Sequence, residues 1–402
     1  MAGDAVANNS LLGKTILLGV TGGIAAYKSC NLVRLLQKQG ARVKVVMSDH
    51  ATEFVGPLTF RALTHEPVAV GLFDDPSDPI HHISLAQEPD LVIVAPATAN
   101  IIAKMAQGIA DDLISTTLLA TPRPILIAPA MNNGMWKAPA TQENVRTLKS
   151  RGVHIVGPGS GYLACGDVDS GRMSEPEEIV EAVCDILDPA PQDLYGKRIV
   201  ITAGPTHEPV DPVRYIGNRS TGKMGMALAE QARRRGAEVT LILGPSHLPV
   251  PRRVACVHVE TAAQMREAAL EAFADSDAAI CAAAVADYTP AHPADHKLKK
   301  TYERLDRIDL VETADILADL SSKKGSRVVI GFAAETDSVL EFARAKVLHK
   351  GCDTIVANDV SRADSGFGTD TNKAWIVTAT GEEELPTMSK IDLADRILDL
   401  LV

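Results

Sequence analysis

One pattern recurs along this 402-residue chain and limits the folds open to it: an unbroken apolar run, a turn carrying glycine, then a stretch of helical periodicity. The runs TILLGV, VKVVMS, LVIVAPA, PILIAPA and HIVGP in the first half are continuous, not alternating. Such runs suit strands of a parallel sheet buried under helices on both faces. Between the first two, AAYKSCNLVRLLQKQG reads as a helix closed by Gly40. The pattern then starts again. GKRIVITAGPTHEP opens as GKTILLGVTGGIAAYK does; EVTLILG, VACVHVE, AAICAAA, VVIGFAA and TIVANDV follow, with AWIVTATGEEEL as a late strand or hairpin. GKMGMALAEQARRRG and SVLEFARAKVLHKG supply helices. The fold expected is α/β, with two doubly wound parallel-sheet domains of the Rossmann or flavodoxin-like kind. The proline- and acid-rich DILDPAPQDLYGK separates them. The boundary falls near residues 186–196, giving domains 1–187 and 188–402.

Charge and cysteine usage narrow the partners. The net charge of -11 disfavours wrapping a nucleic-acid backbone, though local groups can still hold a small anion. No apolar run reaches membrane-spanning length, and MAGDAVANNS lacks a signal peptide's basic start and apolar middle. The six cysteines are scattered without a C-x-x-C pair, which points to a reduced, cytoplasmic protein and not to a disulfide scaffold or zinc site.

Doubly wound sheets bind ligands at the carboxyl ends of their strands. In the first half, Gly22 and Gly23 of VTGGIAAYK let backbone approach a phosphate at a helix N-terminus. Ser48 adds a hydroxyl after the second strand, and Thr98 and Asn100 follow the third visible one. The loop is not G-x-G-x-x-G, which disfavours a nicotinamide dinucleotide. HHIS places His81 and His82 at the head of a short helix, PAMNNGMW places Asn132 just past a strand, and ACGDVDSGRM carries Cys165 in a glycine-rich loop. In the second half, IVITAGPTHEPVDPVRYIGNRSTGKMG leaves a strand for a proline-broken loop holding Arg214, Asn218 and Lys223. AAAVADYTPAHPADHKLKK puts Asp287 at the end of a buried strand and Lys297 at the start of the basic KLKK. Lys346 and Lys350 stand one helical turn apart.

GVTGGIAAYK, APATAN, PAMNNGMW and ACGD…GRM resemble the flavin-containing cysteine decarboxylases. ITAGPTHEPVDPVRYIGNRSTGKMG resembles the phosphopantothenate–cysteine ligases. In this order, over about residues 11 to 400, they resemble the bifunctional bacterial coenzyme A biosynthesis proteins. The resemblance implies CTP-dependent ligation of 4'-phosphopantothenate with cysteine through an acyl-cytidylate. Decarboxylation of 4'-phosphopantothenoylcysteine would follow, with FMN first oxidising the thiol carbon so that the carboxylate gains an electron sink. Carried over by motif, His82, next to isoleucine, is the base. Asn132 orients the substrate carboxylate, with Met135 beside it, and Cys165 protonates the enethiolate on a closing flap. Gly22, Gly23, Ser48, Thr98 and Asn100 hold FMN.

For the ligase half the resemblance implies that Asn218 holds the acyl-cytidylate and that Lys297 promotes nucleotidyl transfer. Asp287 contacts the nucleotide, as do Ala314, Asp315, Ile316 and Leu317 of ETADIL, and Phe332 packs on the cytosine. Arg214, Lys223, Lys346 and Lys350 meet the phosphates, with Gly222 and Gly225 opening a helix toward them. Gly217 stands where the family has serine, and Ala314 where it has proline. Mg2+ is expected with the triphosphate, held by phosphate oxygens and water, so no metal ligands are assigned. The assembly implied is a homo-oligomer, a dodecamer of decarboxylase trimers and ligase dimers with FMN near a subunit interface. A rival reading, a flavodoxin-like binding protein that acts by contact, lacks a reason to keep His82, Asn132 and Cys165 together.

Overall fold

A computed structural model describes residues 10–73, 80–162, 168–299, 306–335, 337–361, 365–366 and 368–402. The chain divides into two compact units, Met1–Pro189 and Ala190–Val402. In the first, strands β1 (Thr15–Val20), β2 (Arg42–Met47), β3 (Val68–Ala69), β4 (Leu91–Ala97), β5 (Ile125–Pro129) and β6 (His154–Ile155) form a sheet of order 3-2-1-4-5-6. Every pairing in it is parallel. Side-chain alternation splits β1 between two cores. Ile16, Leu18 and Val20 pack with Leu32, Leu36, Ile179 and Val183 on one face. Leu17 packs with Val94, Ile102, Leu113 and Val145 on the other. That double burial explains the continuous runs. Gly40, with φ of +89°, ends the helix Ala26–Lys38 in a conformation glycine accepts without a Cβ penalty. A hairpin, β7 (Gly159–Tyr162) and β8 (Val168–Arg172), stands outside the sheet.

The second unit contains β9 (Arg198–Ala203), β10 (His207–Asp211), β11 (Arg214–Gly217), β12 (Glu238–Leu243), β13 (Ala255–His258), β14 (Ala278–Cys281), β15 (Tyr288–Pro290), β16 (Leu310–Glu312), β17 (Val328–Glu335), β18 (Thr354–Asp359), β19 (Thr371–Asn372), β20 (Ala374–Thr378) and β21 (Glu382–Glu384). Its main sheet runs 13-12-9-14-17-18-20-21. It is parallel up to β18, and then β20 and β21 join antiparallel as a hairpin. Two cores again flank it, one with Ile199, Ile201, Leu228 and Leu393, the other with Val200, Met265, Phe273 and Val347.

Three local expectations change. THEPVDPVRYIG folds as an antiparallel ribbon, β10–β11, and not as a loop. The Asp211 carboxylate closes its turn, with Oδ1 accepting from the amides of Val213 (2.8 Å) and Arg214 (2.9 Å), and residues of β10 approach those of β15. The proline signal was local, and the tertiary contact overrode it. The run HIVGP contributes only a two-residue edge strand. Asp287 does not end a strand: β14 stops at Cys281, and Asp287 lies in the loop before β15.

Candidate active sites

The first unit opens a cleft of about 1230 Å³ at the carboxyl ends of β1, β2, β4 and β5, around the β1/β4 neighbours where the strand order reverses. Three helix N-termini meet there, those of Ala26–Lys38, Asp49–Thr52 and Ala99–Gln107. The first has no side-chain cap and, like the third, no acid in its first turn. Ala26 N and Lys28 N donate to the carbonyls of Gly23 (2.9 Å) and Ala25 (3.0 Å), so what this N-terminus offers an anion is its dipole, not opposed by an acidic side chain. Ser48 and Thr98 cap the other two, accepting from Ala51 N (3.3 Å) and Ile101 N (3.5 Å). Thr21 Oγ1 donates to Pro96 O at 2.7 Å and so ties the ends of β1 and β4 together.

Glycines set the walls. A Cβ on Gly22 would lie 2.4 Å from the His50 Cβ, so glycine is required there by the helix Asp49–Thr52 packed behind it. At Gly23 a Cβ would sit in ordinary contact, 3.5 Å from Thr98. Gly171, at φ of +136°, lets the hairpin close on the loop after β5: its carbonyl accepts from Met131 N at 2.9 Å, and a Cβ there would reach within 2.4 Å of the Met131 carbonyl.

The second unit has a cleft of about 930 Å³ at the carboxyl ends of β9, β14, β17 and β18. The helix Lys223–Arg234 points its N-terminus into it from Gly222, at φ of +84°, again with no side-chain cap and no acid in the first turn. A Cβ on Gly225 would meet the Ala203 Cβ at 2.3 Å, so glycine allows this helix to lie against β9. Four ammonium groups line this cleft, those of Lys223, Lys346, Lys350 and Lys390. Asp315 caps the helix Ile316–Ser322, accepting from Ala318 N at 3.0 Å, and pairs with Lys350. Burial would raise its carboxyl, but the Lys350 and Ala318 hydrogen bonds and the charge of Lys346 outweigh burial and hold it below the usual carboxylate range. The Asn218 amide donates to the carbonyls of Ala284 (3.2 Å) and Val285 (3.0 Å), which fixes it on the loop after β14.

Residues 5–188 match the family described as Flavoprotein, and residues 194–402 match the DNA/pantothenate metabolism flavoprotein C-terminal domain. The coenzyme A biosynthesis bifunctional protein CoaBC of Bacillus subtilis is 48% identical over 389 residues, 96% of each chain. That of Escherichia coli K12 is 47% identical over 397 residues, 98% of each. The chain belongs to this family. A solved C-terminal domain of a coenzyme A biosynthesis bifunctional protein CoaBC is 42% identical and covers 52% of this chain and 96% of its own, with a TM-score of 0.44.

Against the family's motifs, the first cleft gathers Gly22, Gly23, Ser48, Thr98, Asn100, Asn132 and Met135. His82 is half-buried in the helix His81–Gln87 and is not among the cleft's lining residues. Cys165 lies outside the described residues. The second cleft gathers Asn218, Lys223, Asp287, Ala314, Asp315, Ile316, Leu317, Phe332, Lys346 and Lys350. Arg214 and Lys297 do not line it. Arg214 Nη2 instead donates to Leu298 O at 3.1 Å, and Lys297 is exposed. Reading by motif passed over Lys28, Lys104 and Lys390. Lys28 Nζ lies 3.0 Å from Glu175 and donates to Met173 O at 3.3 Å; Lys104 pairs with Asp111 at 2.5 Å and Asp112 at 2.7 Å. Each is remote in sequence from its anchor or sits inside an ordinary amphipathic helix, so only a basic residue within an otherwise small-residue stretch signalled it. Among the described residues no helix is long and apolar enough to cross a membrane.

Proposed function

We propose that the chain catalyses two consecutive steps of coenzyme A biosynthesis. Its C-terminal half, residues 188–402, ligates 4'-phosphopantothenate to cysteine with CTP. Its N-terminal half, residues 1–187, decarboxylates the product to 4'-phosphopantetheine with FMN. The observation that carries this reading is the pair of clefts at the carboxyl ends of two parallel sheets, each lined by its own half's motif residues.

In the ligase half the cleft supplies charge for a triphosphate: the N-terminus of Lys223–Arg234 and the ammonium groups of Lys346 and Lys350. The phosphopantothenate carboxylate attacks the α-phosphorus of CTP and pyrophosphate leaves; Mg2+, if bound with the triphosphate, would supply charge neutralisation there. The cysteine amine then attacks the acyl carbon and expels CMP. Asn218 is held by two carbonyls and keeps its place as the acyl-cytidylate forms. Phe332 lines the same cleft and would pack on the cytosine. Arg214 and Lys297 would act only if the 297–299 segment turns toward the cleft when CTP binds. A Lys297→Met variant with wild-type CTP turnover would remove Lys297 from the nucleotide step.

In the decarboxylase half the converging helix N-termini, the hydroxyl caps and a cleft with room for a mononucleotide suit FMN. When bound, FMN supplies a two-electron acceptor that lets the substrate's thiol carbon reach an oxidation level from which the carboxylate can leave. Gly22, Gly23, Ser48, Thr98 and Asn100 would hold it. Asn132 orients the carboxylate, His82 takes a proton and Cys165 returns one. His82 lies off its own chain's cleft, whereas Ile24, Tyr27 and Met135 leave large apolar surface exposed at that cleft. Both features support a homo-oligomer in which a neighbouring copy completes the site, as in decarboxylase trimers joined through ligase dimers. Light scattering that found a monomer would remove that part.

The deciding experiment supplies phosphopantothenate, cysteine, CTP and magnesium to the purified protein and follows carbon dioxide, CMP and phosphopantetheine. A yellow protein forming all three supports the reading. A colourless one, or one using ATP as readily as CTP, overturns the cofactor or nucleotide assignment. The same reading puts the protein in the cytoplasm, which cell fractionation checks.

A further inference from the structure

Gly366 and Asn372 line the second cleft, and the described residues between Ser365 and Asn372 are fastened from several sides. Asn372 Oδ1 accepts from Gly366 N at 3.0 Å and from Ser365 Oγ at 3.1 Å, and Asn372 is 3% exposed. Gly366 adopts φ of +121°, which a side chain rarely tolerates. Thr369 Oγ1 donates to Thr371 O at 2.8 Å. Beneath these turns lies Lys390, the first residue of the helix Lys390–Leu398 and 6% exposed. Its ammonium donates to the carbonyls of Gly366 (2.9 Å), Thr369 (2.5 Å) and Thr371 (3.4 Å). Among the described residues no carboxylate lies within ion-pair reach of it.

A second lysine grips the same segment from another helix. Lys223 Nζ donates to Gly368 O at 2.9 Å and pairs with Asp370 at 2.7 Å. Lys223 opens the helix whose N-terminus faces the cleft, and that helix packs against Lys390–Leu398. Burial first, then the nearby Lys223 charge, push the Lys390 ammonium down to about 8, with Asp370 opposing. A buried ammonium beside a second cation is costly, and the three carbonyls offset that cost only while Gly366, Thr369 and Thr371 stay in place around it.

We propose that Lys390 is a positioning residue for the nucleotide step: by binding the Gly366, Thr369 and Thr371 carbonyls it fixes the 365–372 segment, so that Asp370 and Gly368 hold the Lys223 ammonium at the phosphate end of the cleft. This rests on the CTP reading above. Lys390 acts through the segment, not on the reacting atoms. Its loss should therefore weaken binding of the triphosphate more than it slows the chemistry.

The test uses the full chain as wild type, Lys390→Met, Lys390→Arg and Asp370→Asn. Two readouts are taken: KM for CTP against kcat of ligation, and amide hydrogen exchange across 365–372. Lys390→Met should raise KM for CTP about tenfold or more while kcat falls less, since one hydrogen-bonded charge is worth about that much. It should also speed exchange at Gly366. Lys390→Arg should recover most of the KM. Asp370→Asn leaves the buried amine in place and should raise KM while exchange at Gly366 stays slow; it serves if Lys390→Met does not fold. A Lys390→Met protein with unchanged KM, or with loss confined to kcat, overturns the proposal, as does unchanged exchange. If wild type shows no CTP-dependent ligation but Lys390→Met still frees the segment, the CTP reading fails and the clamp stands.

Discussion

The two clefts occupy the same place on two sheets of closely related strand order, yet they attract anions by different means. In the first unit the positive potential comes from backbone: three helix N-termini converge, and the caps are hydroxyls. The cations lining that cleft are held by carboxylates: Lys104 by Asp111 and Asp112, Lys28 and Arg172 by Glu175. In the second unit one uncapped helix N-terminus is supplemented by four lysines, of which Lys223 and Lys350 pair with Asp370 and Asp315 and Lys390 is buried on backbone carbonyls. Backbone dipoles are rigid and suit a group that stays bound through many turnovers. Ammonium groups are compact point charges and, on the proposed reading, would suit a polyphosphate that enters and leaves as pyrophosphate. The fold supplies the location, and side chains supply the distinction between resident cofactor and transient substrate.

The sharpest way to break that contrast is Asn218→Ala. It should lower ligation about a hundredfold, the usual loss for a group aimed at the reacting centre, and leave decarboxylation of added substrate unchanged. A loss shared by both steps in separate assays would show that the clefts are not independent. Next come the glycines. Gly225→Ala drives a Cβ to within 2.3 Å of the Ala203 Cβ, and Gly22→Ala to within 2.4 Å of the His50 Cβ. Each should cost about 1–3 kcal/mol, read in urea titrations, with Gly22→Ala also releasing flavin. Gly217→Ser is expected to destabilise and not to tighten the ribbon. Its Cβ would fall 2.7 Å from the Thr206 carbonyl and 3.0 Å from the His207 ring, which stacks on Tyr215 at 3.6 Å.

Salt offers a gentler separation. Raising ionic strength from about 0.05 to about 0.5 M should raise KM for CTP several-fold through screening of the lysines, while flavin retention barely moves. Equal sensitivity in the two steps would remove the distinction. The smallest effect is on pH dependence. The Asp315 carboxyl is depressed in the fold, so the stability it lends is present above its ordinary carboxylate range and is lost as pH falls through and below it. Wild type should therefore lose more stability than Asp315→Asn on acidification, measured by urea midpoints at neutral and acid pH.

The sequence alone determined the two-sheet architecture, because burial on both faces leaves an unmistakable continuous apolar run in strands such as TILLGV and LVIVAPA, which fold as β1 and β4. It also located the contiguous motif residues that line each cleft, since a strand, its turn and the next helix N-terminus are neighbours in the chain. Tertiary structure decided the rest. The ribbon His207–Gly217 became strand because of contacts with β15 that local proline signals cannot encode. The clamp between Lys390 and Gly366, 24 residues apart, left no periodic trace. The placing of His82 and Lys297 away from their clefts depends on how loops close in space. Periodicity reports which face of an element is buried; it is silent on which distant carbonyl a buried ammonium will find.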